Sequence, residues 1–134
     1  MYKSMDVYDD KPHEECGVFG IFDRDLSAVH ETYYGIFALQ HRGQESAGIT
    51  VSDGKTMETF RGMGLVTEVF HNLPEKEGHI GIGHVRYSTT GSSIPVNVQP
   101  LQADSIDGPM ALAHNGNLVN TKNLRRRLLL EGST

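Results

Sequence analysis

Residues 16–22 read Cys16-Gly17-Val18-Phe19-Gly20-Ile21-Phe22. Successive strand side chains point to opposite faces, so Val18 and Phe22 share one face and Phe19 and Ile21 the other. Both faces are apolar, which predicts a strand covered on both sides. His79 to Tyr87 predicts a second strand, with Ile80, Ile82, His84 and Arg86 on one face. That face passes from apolar to polar, as a buried strand does when it delivers functional groups at its end. Met110 to His114 predicts a third strand, leading into Asn115-Gly116-Asn117.

Between these runs, Val29, Tyr33, Ile36, Phe37 and Gln40 recur at helical spacing behind a Ser27 N-cap. Gly35 inside that helix predicts close packing there. Ala47 to Val51 and Thr56 to Phe60 flank Asp53-Gly54, a hairpin signal. Leu65 to Phe70 predicts a short helix. A last helix is expected from Thr121 to Glu131, capped by Asn120 or Thr121, with Leu124 and Leu128 on its inner side. Strands with a helix near each end favour an α+β fold over repeating βαβ units. The chain reads as cut short after Gly132-Ser133-Thr134.

At 134 residues the chain has one domain's worth of sequence. Its 37% hydrophobic content allows a core, and it contains no apolar run long enough to cross a bilayer. A net charge of -5 argues against a general nucleic-acid surface. The one basic run, Arg125-Arg126-Arg127, splays about 100° per residue on a helix and reads as a solvated face. The single cysteine, Cys16, excludes an intrachain disulfide and a cysteine-rich zinc or iron–sulfur site. No metal site is expected, since His79 and His84 point to opposite strand faces. Residues 1–15 carry Asp6, Asp9, Asp10, Glu14 and Glu15 without an apolar block. They read as a leader or loose arm rather than a secretory signal, and a cytoplasmic location is expected.

Four segments could carry chemistry. Cys16 alone reads as a small core residue. If residues 1–15 were removed, however, its thiol and a free α-amine would share one residue. An amine with a reference pKa of about 7.7–8.0 can serve as base for its own side chain. His41-Arg42-Gly43-Gln44 reads as a helix end, with Gly43 in a left-handed C′ position, which is compatible with a rigid turn whose backbone touches a ligand. Arg86 in Gly83-His84-Val85-Arg86-Tyr87-Ser88-Thr89 can clamp a carboxylate or snorkel from a strand end. His84 reads as a satisfied structural histidine. His114-Asn115-Gly116-Asn117 is either a hairpin turn or an oxyanion hole built from an Asn amide and a Gly N–H.

These four segments, in this order, resemble the N-terminal-nucleophile (class II) glutamine amidotransferases. Within that class the pattern is similar to the amidophosphoribosyltransferase family. Glucosamine-6-phosphate synthases differ after the first helix, with Arg-Gly-Tyr-Asp where this chain has Arg42-Gly43-Gln44-Glu45. The resemblance spans Cys16 to Thr134 and implies an αββα sandwich, here apparently truncated. Residues 1–15 then resemble a propeptide and residues 16–134 the N-terminal portion of a glutaminase domain.

The resemblance further implies that Cys16 is the nucleophile and its amine the proton shuttle. Asn115, through its side chain, and Gly116, through its N–H, would form the oxyanion hole. Arg86 would clamp the glutamine α-carboxylate with Thr89 nearby. Arg42 and Gly43 would act mainly through backbone, positioning the Cys16 amine. Ammonia from glutamine would pass to phosphoribosyl pyrophosphate on a separate domain, giving 5-phosphoribosylamine at the entry to purine synthesis.

No cofactor is expected in this chain; full-length relatives use Mg2+, and some carry an iron–sulfur cluster in the part absent here. A homo-oligomer is expected, without nucleic-acid or membrane partners, and the chain alone is expected to be poorly active. The alternatives are a non-catalytic binding or regulatory module that keeps the fold, and the glutaminase part of another class II amidotransferase.

Overall fold

In the computed structural model, which describes residues 16–87, 93–116 and 118–132, the apolar runs pair as four antiparallel strands. These are β1 (Gly17–Phe22), β2 (Ser46–Ser52), β3 (Met57–Met63) and β4 (Ile80–Arg86), in the order β1-β4-β2-β3. Helix α1 (Ala28–Ala38) and the short α2 (Val66–Val69) cover one face of this sheet. Val29 and Ile36 of α1, Ile49 and Val51 of β2, Val66 of α2 and Val85 of β4 form the buried centre. Burying such side chains stabilises by about 1.5–3 kcal/mol each, and that draws the helices onto the strands.

Glycines set the spacing of this layer. A Cβ on Gly83 would lie 2.4 Å from Ile36 Cγ2, and one on Gly35 would lie 2.4 Å from the Phe19 ring. The expected close packing at Gly35 is therefore present. The β2–β3 turn is a four-residue loop in which the Asp53 carboxylate accepts from the Lys55 and Thr56 backbone N–H groups at 2.8 and 2.7 Å. Those donors hold Asp53 well below the usual carboxylate range.

On the opposite face, residues 97–100 cross the sheet over Gly48, where a Cβ would meet the Gln99 carbonyl oxygen. Arg61 anchors this crossing by donating to the Pro100 carbonyl at 3.2 Å and to the Val98 carbonyl. Strands β5 (Leu101–Ser105) and β6 (Gly108–Leu112) then form a separate antiparallel pair, followed by α3 (Thr121–Leu130).

Several expectations need correction. β1 is an edge strand whose outer face is uncovered among the described residues: Val18 and Phe22 are exposed, while Phe19 and Ile21 pack on the core. Phe37 is likewise exposed. Ser27 stands at the N-cap position of α1 without a side-chain capping bond, because its hydroxyl donates to Asp23 instead. No residue of α3 is buried. Leu124 and Leu128, expected on an inner side, are exposed. The third expected strand ends at Leu112, and its partner β5 was not anticipated, since Gln102, Asp104 and Ser105 give it little strand propensity. Asn115-Gly116 follows β6 as a loop rather than a hairpin turn.

Gly35→Ala tests the helix–sheet contact. Ala favours a helix over Gly by about 1 kcal/mol, but the added methyl enters the Phe19 ring. A net loss of about 1–3 kcal/mol is expected, read as a lower urea midpoint; an unchanged or raised midpoint would contradict the packing.

Candidate active site

Antiparallel pairing of β1 with β4 places Gly17 opposite Val85, so Cys16 lies at the polar end of β4. There the sulfur is bracketed by backbone: the Tyr87 N–H donates to Sγ at 3.3 Å, and the thiol reaches the Tyr87 carbonyl at 3.4 Å. The Cys16 carbonyl accepts from two side chains, Asn115 Nδ2 at 2.6 Å and Arg42 Nε at 3.3 Å. Residues 16, 42, 87 and 115 thus meet around one cysteine that is neither fully buried nor fully exposed.

Arg42 stands in a one-turn 3₁₀ helix, Gln40–Arg42, which ends α1. Its side chain reaches the Cys16 carbonyl. Gly43 differs from the expected cap. Its φ of -155° is extended rather than left-handed, and glycine is needed for a close approach instead. A Cβ there would lie 2.7 Å from the Arg86 backbone. The Gln40 side chain secures the turn, donating to the Gly43 carbonyl and accepting from the Val66 N–H, each at 2.5 Å.

Arg86 is 9% exposed. Its Nε faces Glu45 Oε2 at 3.6 Å and its Nη1 donates to the Asn97 carbonyl at 3.0 Å. Glu45 was not singled out in the sequence; its place directly after His41-Arg42-Gly43-Gln44 is the one signal that points to it. Gly116 follows Asn115 with φ of +105° and open space around it. Thr89, Asn117 and the leader, residues 1–15, lie outside the described residues.

His84 shares the sheet face of Arg86, as the alternation predicts, and is 1% exposed. The expectation that its ring is satisfied fails, because neither ring nitrogen has a hydrogen-bond partner among the described residues. Burial pushes its pKa down to about 4, and the charges of Arg86 and His114 act in the same sense. The neighbouring His114 backbone and Asn115 side chain oppose this without reaching bonding geometry.

Among the described residues no set of side chains suited to Mg2+ or an iron–sulfur cluster comes together. The chain has one cysteine, and no three His, Cys, Asp or Glu side chains converge among the described residues. No helix there is long and apolar enough to cross a membrane.

No protein-family model matches the chain. Curated relatives do. An amidophosphoribosyltransferase of Synechocystis is 54% identical over 92% of this chain and 25% of its own length. That of Bacillus subtilis is 52% identical over 90% of this chain and 26% of its own length. The chain matches the N-terminal quarter of the amidophosphoribosyltransferases. A solved structure described as the allosteric regulatory enzyme of purine biosynthesis superposes with TM-score 0.78 and 50% identity, covering 87% of this chain and 26% of that one. The glutamine phosphoribosylpyrophosphate amidotransferase of B. subtilis, complexed with ADP and GMP, gives TM-score 0.69 and 46% identity, covering 90% and 25%. The fold is that of the N-terminal domains of amidophosphoribosyltransferases, an N-terminal-nucleophile hydrolase fold of mixed helix and sheet, as expected.

Buried His84 gives the fold a pH dependence. Unfolded, the imidazole titrates near 6.5; folded, it stays neutral down to about 4. Between these values the unfolded chain binds more protons. Stability is therefore full above pH 6.5 and falls as pH drops toward 4. About 2 kcal/mol should be lost by pH 5, read from urea midpoints at pH 7 and pH 5. His84→Phe should show a shallower slope; an equal slope would place the proton uptake elsewhere.

Proposed function

We propose that this chain carries the glutaminase half-reaction of an amidophosphoribosyltransferase, with Cys16 as the nucleophile once residues 1–15 have been removed. The observation that carries this reading is the convergence on Cys16 of the Asn115 amide, the Arg42 guanidinium and the Tyr87 backbone. It occurs in a chain about half identical to the N-terminal quarter of those enzymes.

A freed Cys16 α-amine takes the thiol proton. The sulfur then attacks the side-chain carbonyl carbon of glutamine, and the carbonyl π electrons move to oxygen. One N–H of the Asn115 amide and the N–H of Gly116 stabilise that oxyanion. As the C–N bond breaks, the proton held on the amine passes to the departing nitrogen and ammonia leaves. A γ-glutamyl thioester remains on Cys16. Water, deprotonated by the same amine, adds to the thioester, and glutamate departs as the sulfur regains its proton. In this reading the Arg86 guanidinium pairs with the glutamine α-carboxylate in the bidentate manner a guanidinium allows, and Thr89 is assigned to the same substrate. Arg42 holds the Cys16 carbonyl, and Gly43 keeps the 3₁₀ turn against β4.

Ammonia would then displace pyrophosphate from C1 of phosphoribosyl pyrophosphate, giving 5-phosphoribosylamine on a part of the enzyme that this chain does not match. Glutamine and phosphoribosyl pyrophosphate as substrates, a cytoplasmic setting and self-association belong to the same proposal.

Protein processed to begin at Cys16 is treated with a glutamine analogue that carries a diazoketone in place of the side-chain amide. Intact-mass spectrometry should show one adduct, mapped to Cys16 and blocked by excess glutamine. Cys16→Ser should lose it. An inert Cys16 in the processed protein would favour a non-catalytic module instead.

A further inference from the structure

We infer that His84 is a positioning residue for the oxyanion hole: its buried imidazole backs the Asn115 amide and keeps the N–H face of that amide toward Cys16. The inference rests on the roles proposed for Cys16 and Asn115 and adds a residue that touches neither substrate nor sulfur.

Placement is the first support. His84 sits in the middle of the sheet, paired with Val18 on one side and Gly48 on the other. Gly48 lets residues 97–100 close over this face, and His84 is left 1% exposed. Its direct cross-strand neighbours, Val18 and Gly48, offer the imidazole no side-chain hydrogen-bond partner. Both imidazole nitrogens are buried without a hydrogen-bond partner among the described residues, which carries a desolvation cost. Such a cost is carried where a polar group has a task.

Direction is the second support. His84 pairs with Gly48, Gln99 passes over Gly48, and Gln99 holds the His114 N–H, so the imidazole lies beneath the His114–Asn115 loop. The Asn115 amide directs its Nδ2 to the Cys16 carbonyl at 2.6 Å. Its oxygen is carried on the same planar group at a fixed angle, so a donor on that oxygen sets where the N–H atoms point. A neutral imidazole has one N–H to give, and catalytic hydrogen bonds are commonly long before substrate binds. The chain's other hold on this loop is His114, whose backbone N–H donates to Gln99 Oε1 at 2.7 Å. His84 and Gln99 therefore grip the loop on either side of the His114–Asn115 peptide. A charged imidazole there would face Arg86 and His114, so the neutral form is the one that fits.

Two probes of Cys16 separate positioning from plain structural support. With the diazoketone analogue, sulfur adds to the carbonyl carbon and charge builds on its oxygen; the diazo carbon then takes the proton held on the amine, and sulfur shifts to that carbon as N2 leaves and the carbonyl re-forms. Iodoacetamide alkylates sulfur with loss of iodide and does not need the hole. Removing one oxyanion donor outright typically costs about 100–1000-fold, and a misdirected donor costs less. His84→Phe in the processed protein should therefore slow the limiting rate of diazoketone labelling by about 10-fold or more. The half-saturating concentration and the iodoacetamide rate should stay within about twofold. His84→Gln, which restores a donor, should recover most of the loss. If His84→Phe does not melt cooperatively, His84→Met repeats the comparison.

Equal diazoketone rates in wild type and His84→Phe would overturn the inference, as would parallel loss of both probes or failure of both apolar variants to fold. A wild-type protein that the diazoketone does not label would bring down the nucleophile itself. The two failures are thus distinguishable.

Discussion

Cys16 meets Tyr87, 71 residues later, because β1 and β4 pair antiparallel, and everything proposed for the site depends on that ladder. Pairing fixes register in steps of one residue, and a one-residue slip turns every side chain to the other face. Here the register is held by helix α1. The glycines of β4 let α1 lie against the sheet, so a shifted strand would drive Val85 or His84 into Thr32 and Ile36. Core packing on one face thereby places Arg86, His84 and the Cys16 sulfur on or beside the other.

The same division explains how polar groups came to be buried. The helix-covered face is built of Val, Ile, Ala and Gly. The opposite face carries Ser46, Thr50, His84 and Arg86, all buried or nearly so. Thr50 answers Thr59 across the strands at 2.7 Å, and Arg86 answers Glu45 and the Asn97 carbonyl. Within that set the His84 ring nitrogens and the Ser46 hydroxyl have no hydrogen-bond partner among the described residues.

Much of this was legible in the residues. Strand alternation placed His84 and Arg86 on one face, and Asp53-Gly54 marked the hairpin. Gly35 marked the close contact with Phe19. The order of four short segments pointed to the amidophosphoribosyltransferases before any coordinates. What escaped reading depended on distant partners. Gly43 looked like a left-handed helix stop, whereas it is glycine because the Arg86 backbone lies against it, 43 residues along the chain. The Arg42 side chain reaches the Cys16 carbonyl, a contact 26 residues apart that local pattern cannot show. Leu124 and Leu128 keep an amphipathic spacing, yet spacing alone does not say whether anything lies opposite, and both are exposed. β5 was missed because its polar side chains face outward and its stability comes from β6.

One comparison reaches the centre of the account: the protein beginning at Cys16 against the same protein with a single alanine ahead of it. The thiol, the Asn115 amide and the strand ladder are common to both, and only the free amine differs. General base catalysis contributes about 100–10,000-fold. The alanine-extended form should therefore be alkylated by the diazoketone analogue at least about 100 times more slowly. Equal diazoketone rates would show that Cys16 does not use its own amine, and the assignment of an N-terminal nucleophile would fail.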